Sequence, residues 1–247
     1  MINIKEQLKR SMAIAKKNLS IYYFRGPVII QGLLIPAFLF ISFSFKRNSP
    51  AVLLVSSLIG MALFFAVSAI TPVIAPWETR MKTFERLLTS PISLWAIILG
   101  DIIASVLFGF FIVSAIFLIL SLFVPSIHIH PLLYFGSLIA SFAFSSLSVL
   151  ISAPPADKPS DIMVISTLLK FPLLFISGVF VPITDLSGWH LLSLLSPLTY
   201  YMDLIRFSLQ GSSLMSPFVN ILILFIFSLL LFRLAVFWHQ KSLKKRF

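Results

Sequence analysis

The chain has no cysteine, which excludes disulfide staples and thiolate metal sites. Acidic side chains are almost as scarce: Asp and Glu number 8 against 19 Lys and Arg. Charged residues of both signs make up 11% of the chain, where a soluble domain carries about 25%. A water-soluble surface cannot be built from so few charges. No G-x-x-x-x-G-K-[ST] run occurs and the 9 glycines are scattered, so nothing is placed to cradle nucleotide phosphates. Ser177-Gly178 lacks the G-x-S-x-G setting of a nucleophile elbow. Asp157 and Asp161 flank Pro159 in a turn that offers paired carboxylates no pocket. His128 and His130 form a His-x-His with no carboxylate or cysteine near in sequence. No catalytic residue, metal site or cofactor is expected.

What the chain does have is apolar length. Hydrophobic residues make up 59% of it, and the mean hydropathy is +1.04. A helix crossing the hydrocarbon core needs about 20 apolar residues. Six stretches qualify: Pro27–Phe45, Ala51–Ala75, Leu94–Phe123, Leu132–Ala153, Ile162–Pro182 and Phe218–Trp238. The expected fold is therefore an all-α membrane protein with six transmembrane helices. The third stretch is long for one perpendicular helix. It is expected to tilt, or to start in the interface where Asp101 stays wet.

Basic residues set the orientation. They crowd residues 1–25, the loop after the second stretch (Arg80, Lys82, Arg86) and the tail (Lys241, Lys244, Lys245, Arg246). The opposite loops hold only Lys46, Arg47 and Arg206. By the positive-inside rule both termini lie in the cytosol. The net charge of +11 is thus a topology signal, and no nucleic-acid partner is expected. Residues 1–25 are basic and amphipathic, without the short apolar core of a cleavable signal. Within them Ile4, Leu8, Met12, Ala15 and Leu19 recur at helical spacing, which predicts a helix lying in the membrane interface. A basic anchor that only fixes topology fits the same residues. Residues 183–217 are too apolar for a solvated loop and are broken by Gly188 and Pro197. Short helices re-entering the outer leaflet suit them; an interfacial aromatic belt is the alternative.

Residues 77–93 read W-E-T-R-M-K-T-F-E-R-L-L-T-S-P-I-S. A helix is predicted over Glu78–Leu88, with Glu78, Lys82, Glu85 and Arg86 spaced for side-chain pairing. Phe84, Leu87 and Leu88 form its apolar side, and Pro91 ends it. Such a helix is suited to a groove in a soluble partner; a solvated connector is the bland alternative. Within the spans Lys170 is the exception. An intramembrane lysine is costly and often functional, meeting an anionic group or Asp101, or it snorkels to the interface.

The run Glu85-Arg86-Leu87-Leu88-Thr89-Ser90-Pro91-Ile92, after Glu78 and Thr83, resembles a signature of the type-2 permeases of ATP-binding-cassette exporters. A second block strengthens the likeness: Phe175-Ile176-Ser177-Gly178-Val179-Phe180-Val181-Pro182, then Ser196-Pro197-Leu198-Thr199-Tyr200 and Asp203-Leu204-Ile205-Arg206. Three departures stand out. Arg80 sits where that family often has a second glutamate, Lys82 where it usually has glycine, and Ser196 where asparagine is common.

The resemblance covers essentially the whole of residues 1–247 and is closest to the drug- and antibiotic-export branch. It implies one transmembrane domain, with residues 1–25 as an elbow-like helix, residues 77–93 as a coupling helix and residues 183–217 as the outer re-entrant region. It further implies a homodimer on a dimer of cytosolic ABC ATPase subunits, in the plasma membrane. Glu78, Arg80, Phe84, Glu85, Arg86, Leu87 and Leu88 would carry the ATPase coupling. Lys170 and Asp101 are the candidates for a cargo pathway. The expected cargo is a drug, antibiotic or lipid. A lipid-linked glycan exporter and a non-transporting regulatory subunit remain the alternatives.

Overall fold

A computed structural model describes residues 3–44, 51–123, 130–155, 158–180, 190–211 and 213–246. Lys46, Arg47, His128, Asp157 and the stretch 181–189 lie outside the described residues. Among those described, every regular element is helical. Helix α1 (Ile4–Asn18) passes through a π-helical turn, Leu19–Tyr23, to α2 (Gly26–Ser44). Then follow α3 (Ala51–Ser68), α4 (Thr71–Arg80), α5 (Thr83–Thr89), α6 (Leu94–Phe123) and α7 (Pro131–Ile151). The chain closes with α8 (Pro159–Ile176), α9 (His190–Ser193), α10 (Pro197–Gln210) and α11 (Pro217–Arg246).

Proline punctuates this order for a physical reason. It sits in the first turn of α4, α7, α8 and α10, where its missing N–H has no helical partner to lose. Among the described residues five stretches are long and apolar enough to cross a membrane: Leu54–Arg80, Leu94–Ile119, Pro131–Ile151, Pro159–Ile176 and Pro217–Leu243. Of the six expected spans, the first is not among these five. It corresponds to α2, 19 residues with Pro36 inside.

The second span departs from the expected single helix. It is built of α3 and α4, bent between Ser68 and Thr71. Pro72 has no N–H to return to Ser68 O, so a continuous ladder breaks there. The ammonium of Lys170, from α8, donates to that carbonyl instead.

Helix α7 is the hub: it touches α3, α4, α6, α8, α10 and α11. Its inner face carries Gly136, Ser137, Ala140, Ser141 and Ser145, all buried. Small residues let helices approach closely in lipid, where no hydrophobic force draws them together. The Ser137, Ser141 and Ser145 hydroxyls donate to the carbonyls four residues back, which satisfies these three in an apolar setting. Around this face Phe64 and Phe144 meet edge to face at 5.1 Å, and Phe144 meets Tyr201 at 6.1 Å.

The expected re-entrant region begins outside the described residues. Of its described part, α10 is packed into the protein, while Leu191 and Leu192 of α9 are exposed. Every residue from Pro197 to Arg206 is buried. Tyr200 and Tyr201 are 6% and 0% exposed, which removes the aromatic-belt alternative for these two. Arg206, read from sequence as an outer-loop charge, is buried as well and donates to Gly178 O. Asp203 holds the following turn, accepting from Leu214 N at 2.8 Å, Met215 N at 3.0 Å and Asn220 Nδ2 at 2.7 Å.

Candidate functional site

The site is assembled where α1 crosses the start of α6 and the end of α4. The Asn3 side chain caps α1 by accepting from Lys5 N at 3.1 Å. The helix then turns two faces outward and inward. Ile4, Leu8 and Met12 are exposed, at 67%, 45% and 59%. Gln7, Ser11, Ile14, Ala15 and Asn18 are buried. The expected apolar stripe therefore divides: its first three members face away from the protein, Ala15 faces inward, and Leu19 packs partly buried against the core.

The inward face is a row of polar keys. Gln7 Nε2 donates to Pro91 O at 3.1 Å, and its Oε1 accepts from Ser93 N at 2.8 Å and Ser93 Oγ at 3.0 Å. Ser11 Oγ donates to Ala96 O at 2.7 Å. Asn18 Nδ2 donates to Asp101 at 2.6 Å. Lys17 forms an ion pair with Glu78. Tyr22 stacks on Trp77 with ring centroids 6.1 Å apart; burial, and then the Glu78 charge, pushes its phenol up to about 12. Tyr23 shares a hydrogen bond of 2.8 Å with Thr71 Oγ1, and Thr71, Ser105 and Ser145 continue that chain across α4, α6 and α7. Gly100 permits the crossing, because a Cβ there would lie 2.6 Å from Ile14 Cβ and 2.7 Å from Ser11 O.

Two expectations need correction here. The coupling segment is not one helix over Glu78–Leu88. Helix α4 carries Glu78 and Arg80 and stops at Met81; α5 starts at Thr83. Between them Lys82 adopts φ 57°, a left-handed conformation that ends a helix. Glu78 is consequently not on a solvated pairing face: it is 3% exposed and bound to Lys17. Nor does Asp101 stay wet. It is 5% exposed, because α1 lies over it.

The remaining predicted residues fall as follows. On α5, Phe84 is 4% exposed; Leu87 and Leu88 are half-buried, and Glu85 and Arg86 are exposed beside exposed Arg80. Arg80, Glu85 and Arg86 are thus exposed, while Phe84 holds α5 to the protein. Lys170 and Asp101 are not joined: Lys170 bonds Ser68 O, and Asp101 bonds Asn18. Gln7, Ser11, Lys17, Asn18 and Tyr23 are functional-face residues that the apolar pattern of the sequence does not mark. Their signal is a polar face at positions 7, 11 and 18, hidden beside the stronger apolar one. No cluster of His, Cys, Asp and Glu fit to hold a metal occurs among the described residues.

Membrane-length helices around a buried core, with α1 bonded to the loop after α5 and to the start of α6, define a multi-span helical membrane protein. Residues 3–210 match the family model described as ABC-2 type transporter, and the chain belongs to that family, whose membrane subunits carry no ATPase domain. It is also 29% identical over 132 residues to the inner membrane transport permease YadH of Escherichia coli (strain K12), an alignment covering 53% of this chain and 51% of that protein. The same figures hold for YadH of Escherichia coli O157:H7 and of Shigella flexneri. The chain spans about half the length of the curated relatives it matches.

Proposed function

We propose that this chain is the permease subunit of an ATP-driven exporter that moves a hydrophobic or amphipathic substrate out of the cytosol or inner leaflet. It acts as a pair of copies on a pair of cytosolic ABC ATPase subunits. In this reading the protein resides in the plasma membrane, as the name of the YadH relatives supports. Helix α2 is the first of six spans, and both termini are cytosolic, in line with the basic residues of 1–25 and of the tail.

The observation that carries the proposal is α5. It is a short helix with Glu85 and Arg86 exposed and Phe84 buried, and it is held by α1 through Gln7 on the loop that follows it. A charged, rigidly mounted helix of this kind is suited to a groove on a soluble motor. ATP-driven movement there would pass into the spans as rigid-body motion. For Lys170 the geometry favours a clamp on the bend between α3 and α4 over a cargo contact, because its ammonium is already engaged by Ser68 O.

The test is reconstitution with the cognate ATPase. Reversing both charges of α5 (Glu85→Lys with Arg86→Glu) is expected to lower ATPase copurification and transport together, by about tenfold for the loss of about 1.4 kcal/mol of docking energy. Unchanged assembly and transport would remove α5 as the docking element. ATPase stimulation of the intact complex across drugs, lipids and glycolipids then assigns the cargo. Stimulation by glycolipid alone favours the glycan-export alternative, and stimulation by none favours a regulatory subunit.

A further inference from the structure

A second feature lies inside the crossing of α1 and α6, at Asp101. The side chain is buried, and a buried carboxylate needs a cation or several donors to stay ionised. Asp203 has the several donors, three of them on its two oxygens. Asp101 has neither. Among the described residues its hydrogen-bond partner is Asn18 alone, donating through Nδ2 at 2.6 Å. Two ion pairs occur among the described residues, Arg10–Glu6 and Lys17–Glu78, and neither reaches Asp101.

The groups around it are already engaged. Lys17 of α1 is bound to Glu78 of α4. In the π-helical turn Tyr22 stacks on Trp77 and Tyr23 pairs with Thr71. One turn along α6, Ser105 donates to Val67 O. On α7, Ser145 is bound to Ser105 and to Ser141 O. On α11, which also packs against α6, His239 meets Ser152 and Val149 O. The dipole at the start of α6 acts within the first turn, and Asp101 lies beyond it. One cation therefore serves two buried carboxyls, and Glu78 holds it.

Asn18 carries the complementary defect. Its Oδ1 is buried and has no donor, and a stranded buried acceptor is costly. That oxygen belongs to the same amide whose nitrogen faces Asp101. The nitrogen and oxygen of an amide are spaced like the two oxygens of a carboxyl, so an acid and an amide close a ring of two hydrogen bonds. An ionised carboxylate has no hydrogen to give Oδ1, and a protonated one has. Turning the amide over only exchanges the two atoms: Oδ1 would then face the carboxyl and again require its proton.

We propose that Asp101 is a proton-binding site: its carboxyl is a neutral acid that accepts from Asn18 Nδ2 and donates to Asn18 Oδ1, and this ring fastens α1 to α6. Loss of the proton leaves two carboxylates, Asp101 and Glu78, with one lysine for both, and strands Asn18 Oδ1 again. The hold of α1 on α6 therefore weakens as pH rises. The site is independent of the exporter proposal and is tested without an ATPase.

Infrared spectroscopy of the purified protein in detergent, taken through a pH titration, reads the proton directly. Near neutral pH the wild type is expected to show the carbonyl stretch of a free carboxylic acid. Asp101→Asn should remove that band and still fold, because an amide donates and accepts across the same gap. Asn18→Leu should keep the acid and move its band to higher frequency, since a carbonyl relieved of its donor stiffens. That shift assigns the band even where Asp101→Asn is too unstable to purify. Unfolding in the same detergent gives a second readout. The unfolded carboxyl releases its proton at about pH 3.9, so from there up to the pH at which the band vanishes the folded state binds one proton more. Over that window the wild-type folding equilibrium should fall about tenfold per pH unit relative to Asp101→Asn, and stay level above it. Absence of an acid band at neutral pH overturns the proposal. So does a band that survives Asp101→Asn, which places the proton on another carboxyl, or one that Asn18→Leu does not move. The same pH dependence of stability in wild type and Asp101→Asn overturns it as well.

Discussion

Pro72 removes the N–H that a straight helix would return to Ser68 O, and Lys170 supplies a donor in its place. An ammonium in lipid is costly unless it is buried against a partner, and here the partner is a carbonyl freed by proline. Lys170→Met is therefore expected to destabilise the protein by about 1–3 kcal/mol, the cost of stranding a buried acceptor. Pro72→Ala returns an N–H to the same carbonyl. In that background Lys170→Met should cost distinctly less. Unfolding of the four proteins in detergent completes the cycle, and equal costs in both backgrounds would show that the lysine serves something else. Both residues are conspicuous in the sequence, one as a proline within an apolar run and one as the lone lysine of its span. Their pairing is not, because 102 positions separate Lys170 from Ser68. Asn18 and Asp101, 83 positions apart, are hidden for the same reason.

Helices were legible wherever apolar length alone decides them. The stretch Leu94–Phe123 expected as the third span is α6 residue for residue, and the starts of α7 and α11 lie one residue from expectation. Illegible were the breaks that depend on a single backbone angle. At Lys82 the charge pattern continues smoothly from Glu78 to Arg86, yet the backbone turns left-handed at φ 57° and divides α4 from α5. Glycine, which the resembled signature carries at this position, adopts that conformation without steric cost. Lys82→Gly should therefore raise the thermal stability in detergent, by up to about 1 kcal/mol, since a side chain in the left-handed region costs about 1–2 kcal/mol and glycine loses some of that to entropy. Lys82→Pro should lower it sharply, because proline is locked at negative φ. A destabilised Lys82→Gly protein would mean that the lysine side chain contributes more through its contacts than its backbone costs.

Across the whole molecule, α1 acts as a strap between two spans that α5 separates in sequence. Gln7, Ser11 and Asn18 fasten it to Ser93, Ala96 and Asp101 at the start of α6. Lys17 fastens it to Glu78 at the end of α4. A push on α5 in the proposed complex would therefore reach both spans in step. Among the described residues the Lys17–Glu78 bond is the charged link from the strap to the α4 side, and Glu78 is buried while Lys17 is partly open. Glu78→Gln removes that charge and is expected to cost about 1.5–3 kcal/mol of local stability, the scale of a hydrogen bond to an ionised group. The functional signature should be uncoupling: α5 is untouched, so ATPase assembly and turnover persist, while substrate moved per ATP falls. The exchanged pair, Lys17→Glu with Glu78→Lys, keeps attraction across the same gap and should recover most of the ratio. Reconstituted complexes give both rates in one assay. If Glu78→Gln lowers ATPase activity and transport in equal proportion, and the exchanged pair recovers neither, then α1 is a fold element alone and the drive enters through α4 without it.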